Sequence, residues 1–228
     1  MNRATAVLLA STALTGAASD AFAAPVYSWS GFYLGANAGG VWDSSTATDQ
    51  ATFFLGSNFF LPGDNNKLRP AGPIGGVQAG YNWQTSNWVF GIEADIDAAS
   101  ASTTFNYTNP SFINTMQSAR LTGLATIRGR IGLDFGGTLA YVTGGVAFAD
   151  LKDSITTPVF SLVMSRDGWA TGPTFGGGVE HAFTPHWSAK LEYLFAKFPD
   201  ATTSSPRGYS FKFRDSAQTL RAGVNYRY

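Results

Sequence analysis

The stretch WSAKLEYLF at residues 187–195 alternates apolar and polar side chains over most of its length. In an extended strand its rings and aliphatic groups fall on one face, whereas Ser188, Lys190 and Glu192 fall on the other. A helix would mix the two sets around its circumference, so the stretch predicts a β-strand with one apolar and one charged face. GGGVEHA at residues 176–182 precedes it across the short turn 184–186, and the two together predict a β-hairpin.

The same alternation recurs along the chain. It predicts eight strands, at residues 31–42, 73–83, 88–98, 118–135, 138–149, 169–183, 187–198 and 211–228. The predicted connections alternate in length: the short ones include Gly136-Gly137, a glycine pair suited to a hairpin turn, and the long ones are 43–72, 99–117, 150–168 and 199–210. Short turns at one end and long loops at the other are typical of an outer-membrane protein. We therefore predict an all-β fold, an eight-stranded antiparallel transmembrane up-and-down β-barrel with both termini in the periplasm.

The composition excludes several classes of function. The 228 residues carry 15 Lys plus Arg against 15 Asp plus Glu, and only 13% are charged, where a soluble domain has about 25%. A chain without net positive charge is poorly suited to bind nucleic acid. Cysteine is absent and there are only two histidines, so thiolate sites and histidine cages are excluded and we predict no cofactor. The 26 glycines and the many rings favour strands.

The N-terminus has the features of a secretory signal. Arg3 precedes an apolar run at residues 4–18, and the triplet 21–23 ends in alanine at a small-x-small cleavage site. The run is shorter than the roughly 20 residues that a membrane-spanning helix needs. We therefore predict a cleaved signal peptide at residues 1–23 and an exported barrel domain at residues 24–228.

Alternation defines two faces but does not say which one is inside. In a soluble barrel the charged faces would point outward, and in a membrane barrel they would line the lumen; export and the loop asymmetry favour the membrane. The predicted lumen then holds six acids and six bases: Glu93, Asp95, Asp97, Asp134, Glu180 and Glu192 with Arg120, Arg128, Arg130, Lys190, Arg221 and Arg227.

We expect these charges to form a salt-bridge network, because an unpaired charge in a narrow lumen is costly. Adjacent strands would pair Glu93 and Asp95 with the arginines at 128 and 130, and Glu192 with Arg221. Eight strands leave only enough room for side chains, so an open pore is the weaker interpretation.

From Trp29 onward the chain resembles the small outer-membrane immunogenic proteins of alphaproteobacteria, a porin-like family of eight-stranded barrels. The matching stretches, in order, are WSGFYLGANAGGVW (29–42), GGVQAGYNWQ (75–84), VFGIEADI (89–96), IRGRIG (127–132), YVTGGVAF (141–148), GGGVEHAFTPHWSAKLEYLF (176–195) and LRAGVNYRY (220–228). At two positions the chain departs from the family: it has His181 where the family often has Tyr, and it ends in Tyr228 rather than in Phe. The resemblance implies a structural, surface-exposed protein of the Gram-negative outer membrane, in contact with lipid and lipopolysaccharide and without a catalytic residue.

The resemblance also implies a signal for assembly and leaves two other functions open. Val224, Tyr226 and Tyr228 end the last strand in the pattern that the barrel-assembly machinery reads in similar proteins. Some relatives are described as haem-binding or adhesive, so a narrow pore or an uptake protein for haem or another small ligand is the alternative.

Two further features have a functional and a structural interpretation. His186 and Ser188 resemble the His-x-Ser pattern of barrel enzymes that deacylate lipid A, but Ala189 replaces the usual Asn and the turn is on the periplasmic side. We therefore predict no catalysis, with His186 in a turn and His181 in the periplasmic aromatic girdle. The segment FFLGSNFFL at 53–61 makes loop 43–72 unusually apolar, which suits either closure of the barrel mouth or contact with a host molecule or ligand.

Overall fold

The computed structural model describes residues 27–49, 65–109, 113–157, 162–204 and 210–228. The predicted signal peptide 1–23 and the phenylalanine-rich segment 53–61 lie outside the described residues. The strands are β1 (Gly31–Asp49), β2 (Asn65–Leu68), β3 (Ala71–Thr85), β4 (Trp88–Asn109), β5 (Ile113–Asp134), β6 (Thr138–Thr157), β7 (Leu162–Ala182), β8 (Trp187–Lys197), β9 (Ala201–Ser204) and β10 (Ser210–Arg227). Among these residues, no helix is long and apolar enough to cross a membrane.

The sheet closes on itself. Each long strand pairs antiparallel with its neighbour along the chain, and β1 also pairs with β10 from Tyr33 opposite Arg227 to Asp49 opposite Phe211. The two four-residue strands only extend this sheet, because β2 lies beside β1 just beyond β3, and β9 lies beside β10 just beyond β8. The eight long strands therefore confirm the predicted eight-stranded antiparallel barrel.

The predicted long loops are shorter than expected. Within the described residues, 43–72 includes the end of β1, all of β2 and the start of β3, and 199–210 includes β9 and the first residue of β10. The other two predicted loops are mostly strand and are therefore wrong. The predicted loop 99–117 is mostly strand, because β4 runs to Asn109 and β5 begins at Ile113. The predicted loop 150–168 is mostly strand as well, because β6 runs to Thr157 and β7 begins at Leu162. The outer face of these segments is mostly polar, with exceptions such as Met116 and Val163, so they lack the regular apolar alternation that predicts the other strand residues.

Two β-bulges change which residues face inward. The register shifts between Ala98 and Ala101 in β4 and between Leu121 and Gly123 in β5. An extra residue in a strand moves every later side chain to the opposite face. Arg120, predicted to lie in the lumen, is therefore exposed on the outside, and Leu121, predicted to face outward, is fully buried inside.

A band of exposed apolar side chains encircles the barrel. Its centre includes Val77, Ile96 and Ile127, which are 57–62% exposed. Aromatic rings border the band at the end that holds the chain termini, with Trp83, Trp88, Trp187 and Tyr228 among them, and at the distal end, with Trp42, Trp169 and Tyr193 among them. An apolar band between two aromatic girdles fits a lipid bilayer.

Beyond the band, the distal part of the barrel divides into two sheets. The strands β4, β5, β6 and β7 stay paired with one another as far as their distal ends. On the other side, β2, β1, β10 and β9 form the second sheet. Pairing between the two groups stops at Ala71–Ser102 and at Thr174–Ala196. A strand needs about 9–11 residues to cross a bilayer, so about half of the 22-residue β4 projects beyond it.

Candidate functional site

Charged side chains fill the middle of the lumen. Glu93, Asp95 and Asp97 project from β4, Arg128 and Arg130 from β5, Lys190 and Glu192 from β8, and Arg221 from β10. The bulges in β4 and β5 lie on the distal side of these residues, so the two-residue period places all of them on the inner face. Each is at most 6% exposed.

Arg128 connects three carboxylates from two sides of the barrel. Its Nη2 atom is 2.5 Å from Glu93 Oε1 and 2.8 Å from Asp95 Oδ2, both on the neighbouring strand. Its Nη1 atom is 2.9 Å from Glu192 Oε2, which lies across the lumen on β8. Its Nε atom donates a hydrogen bond of 2.8 Å to Thr126 Oγ1. All three guanidinium nitrogens are thereby engaged.

Other pairs cross the lumen beside it. Lys190 on β8 reaches Glu93 on β4 with an Nζ–Oε1 distance of 2.9 Å. Arg221 on β10 is 2.8 Å from Glu192 Oε1 and 3.1 Å from Asp95 Oδ1, and it also contacts Asp97. Arg221 and Glu192 are partners on the neighbouring strands β10 and β8, as predicted. The bridges from Lys190 and Arg221 to β4 join strands that are not adjacent, so they occupy the lumen and tie distant strands together.

The part of the network nearest the chain termini also consists of predicted lumen charges. Arg130 Nη1 is 3.0 Å from Glu180 Oε2 on β7. Counting Glu180 and Arg227, this middle part of the lumen and the end that holds the termini contain five buried acids and five buried bases among the described residues. Asp134 takes no part, because it is half-buried at the turn to β6, where it accepts a hydrogen bond of 2.9 Å from the Gly137 amide.

Uncharged polar groups complete the network, and alternation of charges did not identify them. Tyr33 donates to Glu93 at 2.7 Å, and Tyr141 donates to Glu192 at 3.0 Å. Tyr33 also packs over Gly80, where a Cβ atom would lie 2.3 Å from the tyrosine oxygen. Both tyrosines lie on the lumen face of strands that carry no lumen charge close to them. Only their place in the two-residue alternation could have predicted that they face inward.

The residues before β1 close the lumen at the end that holds the termini. The backbone amide of Trp29 donates a 2.7 Å hydrogen bond to Gln84 Oε1, and the Trp29 ring is fully buried against Val89 and Leu139. Arg227 in the last strand bonds the carbonyl of Ser28 and stacks on Trp29, with 5.0 Å between its guanidinium carbon and the ring centroid.

An apolar cluster closes the lumen on the distal side of the charges. Its members come from all eight long strands and include Val41, Leu121, Leu124, Leu151 and Phe198, which are at most 2% exposed. The lumen is thus filled in successive layers of rings, ion pairs and aliphatic groups.

Three carboxylates face inward beyond the apolar cluster. Asp43, Asp153 and Asp215 are each at most 7% exposed, and they lie on the distal side of the Trp42 girdle. Burial raises the pKa of Asp43 to about 8, with a further contribution from the negative charges of the other two. Within the described residues, no group of three or more His, Cys, Asp or Glu is arranged to hold a metal ion.

The His186 and Ser188 side chains lie in different environments, one in a turn and the other in the lumen. Ser188 is buried in the lumen and donates a hydrogen bond of 2.6 Å to Glu180 Oε1. His186 lies in the turn before β8, with its Nδ1 atom 3.0 Å from the Arg227 carbonyl and its ring stacked on Tyr226. His181 also lies at the end of the barrel that holds the termini, where its Nδ1 atom is 2.9 Å from Thr138 Oγ1.

The last strand presents its proposed assembly residues to the outside. Val224 is 43% exposed and Tyr228 is 69% exposed. Tyr226 lies between them in a ring cluster, and its ring centroid is 5.1 Å from that of Trp187 and 5.2 Å from that of Tyr228.

Comparison with known proteins gives the same picture. The outer membrane protein beta-barrel domain family matches residues 6–228. The chain is 29% identical over 224 residues to the 31 kDa outer-membrane immunogenic protein of Brucella melitensis, covering 90% of this chain and 87% of the relative. It is 27% identical over 210 residues to the 22 kDa outer membrane protein of Rhizobium leguminosarum, covering 92% of this chain and 83% of the relative.

The fold also matches solved structures. The outer membrane protein OprG of Pseudomonas aeruginosa superposes with a TM-score of 0.51 at 11% identity, covering 87% of this chain and 96% of that chain. In outer-membrane barrels the short turns are periplasmic and the long connections extracellular, so in this family member the end with the termini is periplasmic and the distal end is extracellular. The chain belongs to the outer membrane protein beta-barrel domain family and is an integral β-barrel of the Gram-negative outer membrane, related to outer-membrane immunogenic proteins.

Proposed function

We propose that this protein is a closed, non-conducting barrel that anchors an extracellular β-structured surface in the outer membrane and catalyses no reaction. The observation that carries the proposal is the set of ion pairs joining opposite walls of the lumen, such as Lys190 to Glu93 and Arg128 to Glu192. A pore would need a water-filled path through this layer and through the apolar cluster beyond it. The narrow-pore and ligand-uptake functions are therefore less favoured.

The contact geometry of Ser188 supports the absence of catalysis. A serine nucleophile must reach its substrate, and Ser188 is buried inside the closed lumen, where its hydroxyl donates to Glu180 and that carboxylate is already paired with Arg130. His186 is engaged with the Arg227 carbonyl, and no hydrogen bond joins His186 to Ser188 within the described residues. Lipid A deacylation at this pair is not supported.

The two extracellular sheets, which include the described ends of the predicted loop 43–72, supply the proposed contact surface. The sheets carry exposed side chains such as Phe105, Met116 and Val163 well beyond the extracellular girdle. We propose that host molecules or ligands bind at this surface, while the wall of the barrel contacts lipid and lipopolysaccharide. We also propose that the barrel-assembly machinery recognises Val224, Tyr226 and Tyr228.

Planar-bilayer recording tests the closed lumen. The mature protein, refolded and inserted into a lipid bilayer, should show no stable conductance above background, whereas an open porin inserted in the same way should conduct. Reproducible channel steps together with solute flux into vesicles would overturn the proposal and would favour the narrow pore.

A further inference from the structure

Four cations form a patch on the outside of the barrel at its extracellular rim. They are Arg69, Lys197, Lys212 and Arg214, and we refer to them as the rim patch. Arg69, Lys197 and Arg214 are exposed, and the Lys212 side chain is 28% exposed. The patch faces lipid and solvent rather than the lumen, because Lys197 follows Tyr193 and Phe195 on the outer face of β8.

Strand register holds the patch just above the lipid-facing band. Lys197, Ser216 and Ser44 form a row across three neighbouring strands. Arg69 continues this row, because it follows Leu68, which is the partner of Ser45. Lys197 is two residues beyond Phe195, which corresponds to roughly 5 Å further from the membrane centre for a strand tilted by about 40°. The phosphates of outer-leaflet lipid lie at this height, directly above the acyl chains.

The rim patch is only partly neutralised. A single oxygen, Asp200 Oδ2, lies 2.8 Å from Lys212 Nζ and 3.2 Å from Arg214 Nε. These two hydrogen bonds hold the pKa of Asp200 below its ordinary value, so it stays ionised. Lys197 and Arg69 form no ion pair with any other described residue. Among the described side chains, four positive charges therefore face one negative charge, and Ser44 and Ser216 lie between Lys197 and Arg69 on the same face.

The opposite side of the barrel lacks this imbalance. There Arg120 and Lys152 are accompanied by Asp150 and Asp167 on the outer face, two cations to two acids. Lys152 Nζ is 3.9 Å from Asp167 Oδ1. Among the described outer-face residues near this rim, excess positive charge thus lies on the side formed by β8, β10, β1 and the link between β2 and β3.

We propose that the rim patch is a binding site for the phosphate groups of lipopolysaccharide. The cations and the neighbouring hydroxyls bind the phosphates, while the lipid chains lie on Leu220, Tyr193 and Trp42 below them. The site would hold one phosphorylated lipid at a fixed position on the wall, and it does not depend on whether the lumen conducts.

The test uses the full mature chain in phosphatidylcholine nanodiscs with fluorescent rough-type lipopolysaccharide. One preparation carries the diphosphorylated lipid A moiety, and a second has been dephosphorylated. The variant K197Q/R214Q removes two cations from the patch, and the matched control R120Q/K152Q removes two cations at a similar height on the opposite side. Because K197Q alone breaks no ion pair, it replaces the double variant if the latter does not refold.

We expect K197Q/R214Q to bind the diphosphorylated form roughly tenfold more weakly than wild type, and the control to stay within about twofold. We also expect the difference to shrink when salt is raised from about 50 mM to about 300 mM. Equal losses in the two variants, or equal binding of the dephosphorylated lipid, would overturn the site. Displacement of the lipid by inorganic pyrophosphate at equal phosphate concentration would overturn the assignment to a lipid-linked phosphate. None of these results bears on the conductance experiment.

Discussion

Replacing Arg128 by leucine is the most direct test of the charged lumen. The side chain is fully buried and bridges Glu93, Asp95 and Glu192 at 2.5–2.9 Å. Its loss leaves five lumen acids with four bases and deprives three carboxylates of a partner. Breaking a buried ion pair costs about 3–5 kcal/mol, so we expect the free energy of unfolding to fall by about that amount.

Ile127 gives a matched change one residue away. It is 62% exposed in the lipid-facing band, so Ile127→Arg places a charge in hydrocarbon and should cost about 2–4 kcal/mol. Arg120→Leu is the control, because Arg120 is exposed above the band and its loss should change stability by no more than about 0.5 kcal/mol.

All three variants should be refolded into the same lipid vesicles and unfolded in urea, followed by the gel mobility of the folded barrel. The expected order of destabilisation is Arg128→Leu, then Ile127→Arg, then Arg120→Leu. If Arg128→Leu were silent while Arg120→Leu was costly, the inner and outer faces of β5 would be assigned the wrong way round.

Three further predictions concern the ends of the barrel. Deleting Tyr228 should reduce the amount of heat-modifiable protein in outer-membrane fractions, and an unchanged amount would contradict its role in assembly. Since the pKa of Asp43 is raised from 3.8 to about 8, the folded state retains a proton that the unfolded chain loses; the unfolding midpoint should fall as the pH rises through about 5 to 8. Asp43→Asn should remove most of that slope, and a slope equal to wild type would refute the assignment. Trp29→Ala should cost about 3 kcal/mol by emptying the periplasmic layer, whereas the same change at the lipid-exposed Trp187 should cost clearly less; equal costs would argue against the layer.

Sequence periodicity predicts the membrane-spanning strands well, because there the lipid requires apolar side chains at every second position. All eight predicted strands are present, and β3 and β8 differ from prediction by at most two residues at either end. Outside the bilayer the outer face is in water and the requirement disappears. The polar stretch STTFNYTN at residues 102–109 is therefore strand without the expected pattern.

The lumen was partly predictable for the same reason. A charged side chain at the height of the apolar band, such as Glu93 or Arg128, is stable only in the interior. Its place in the two-residue alternation therefore shows which face of the strand points inward. Arg120 was misplaced because the bulge beside Leu121 adds a residue that a strict period of two does not count. Contacts that cross the lumen, such as Lys190 to Glu93, depend on how the sheet closes and on side-chain length, which no single strand encodes.

The zero net charge of the chain conceals an unequal distribution of charge in space. Among the described side chains, the lumen network is balanced at five acids and five bases. The outer surface near the extracellular rim instead has an excess of cations, because Arg69, Arg120, Lys152, Lys197, Lys212 and Arg214 are described there against Asp150, Asp167 and Asp200. A closed barrel separates these groups, because its wall keeps inward and outward charges from neutralising one another directly. Net charge therefore argues against partners that contact the whole surface, such as nucleic acids, but not against a single lipid phosphate group held at one side of the rim.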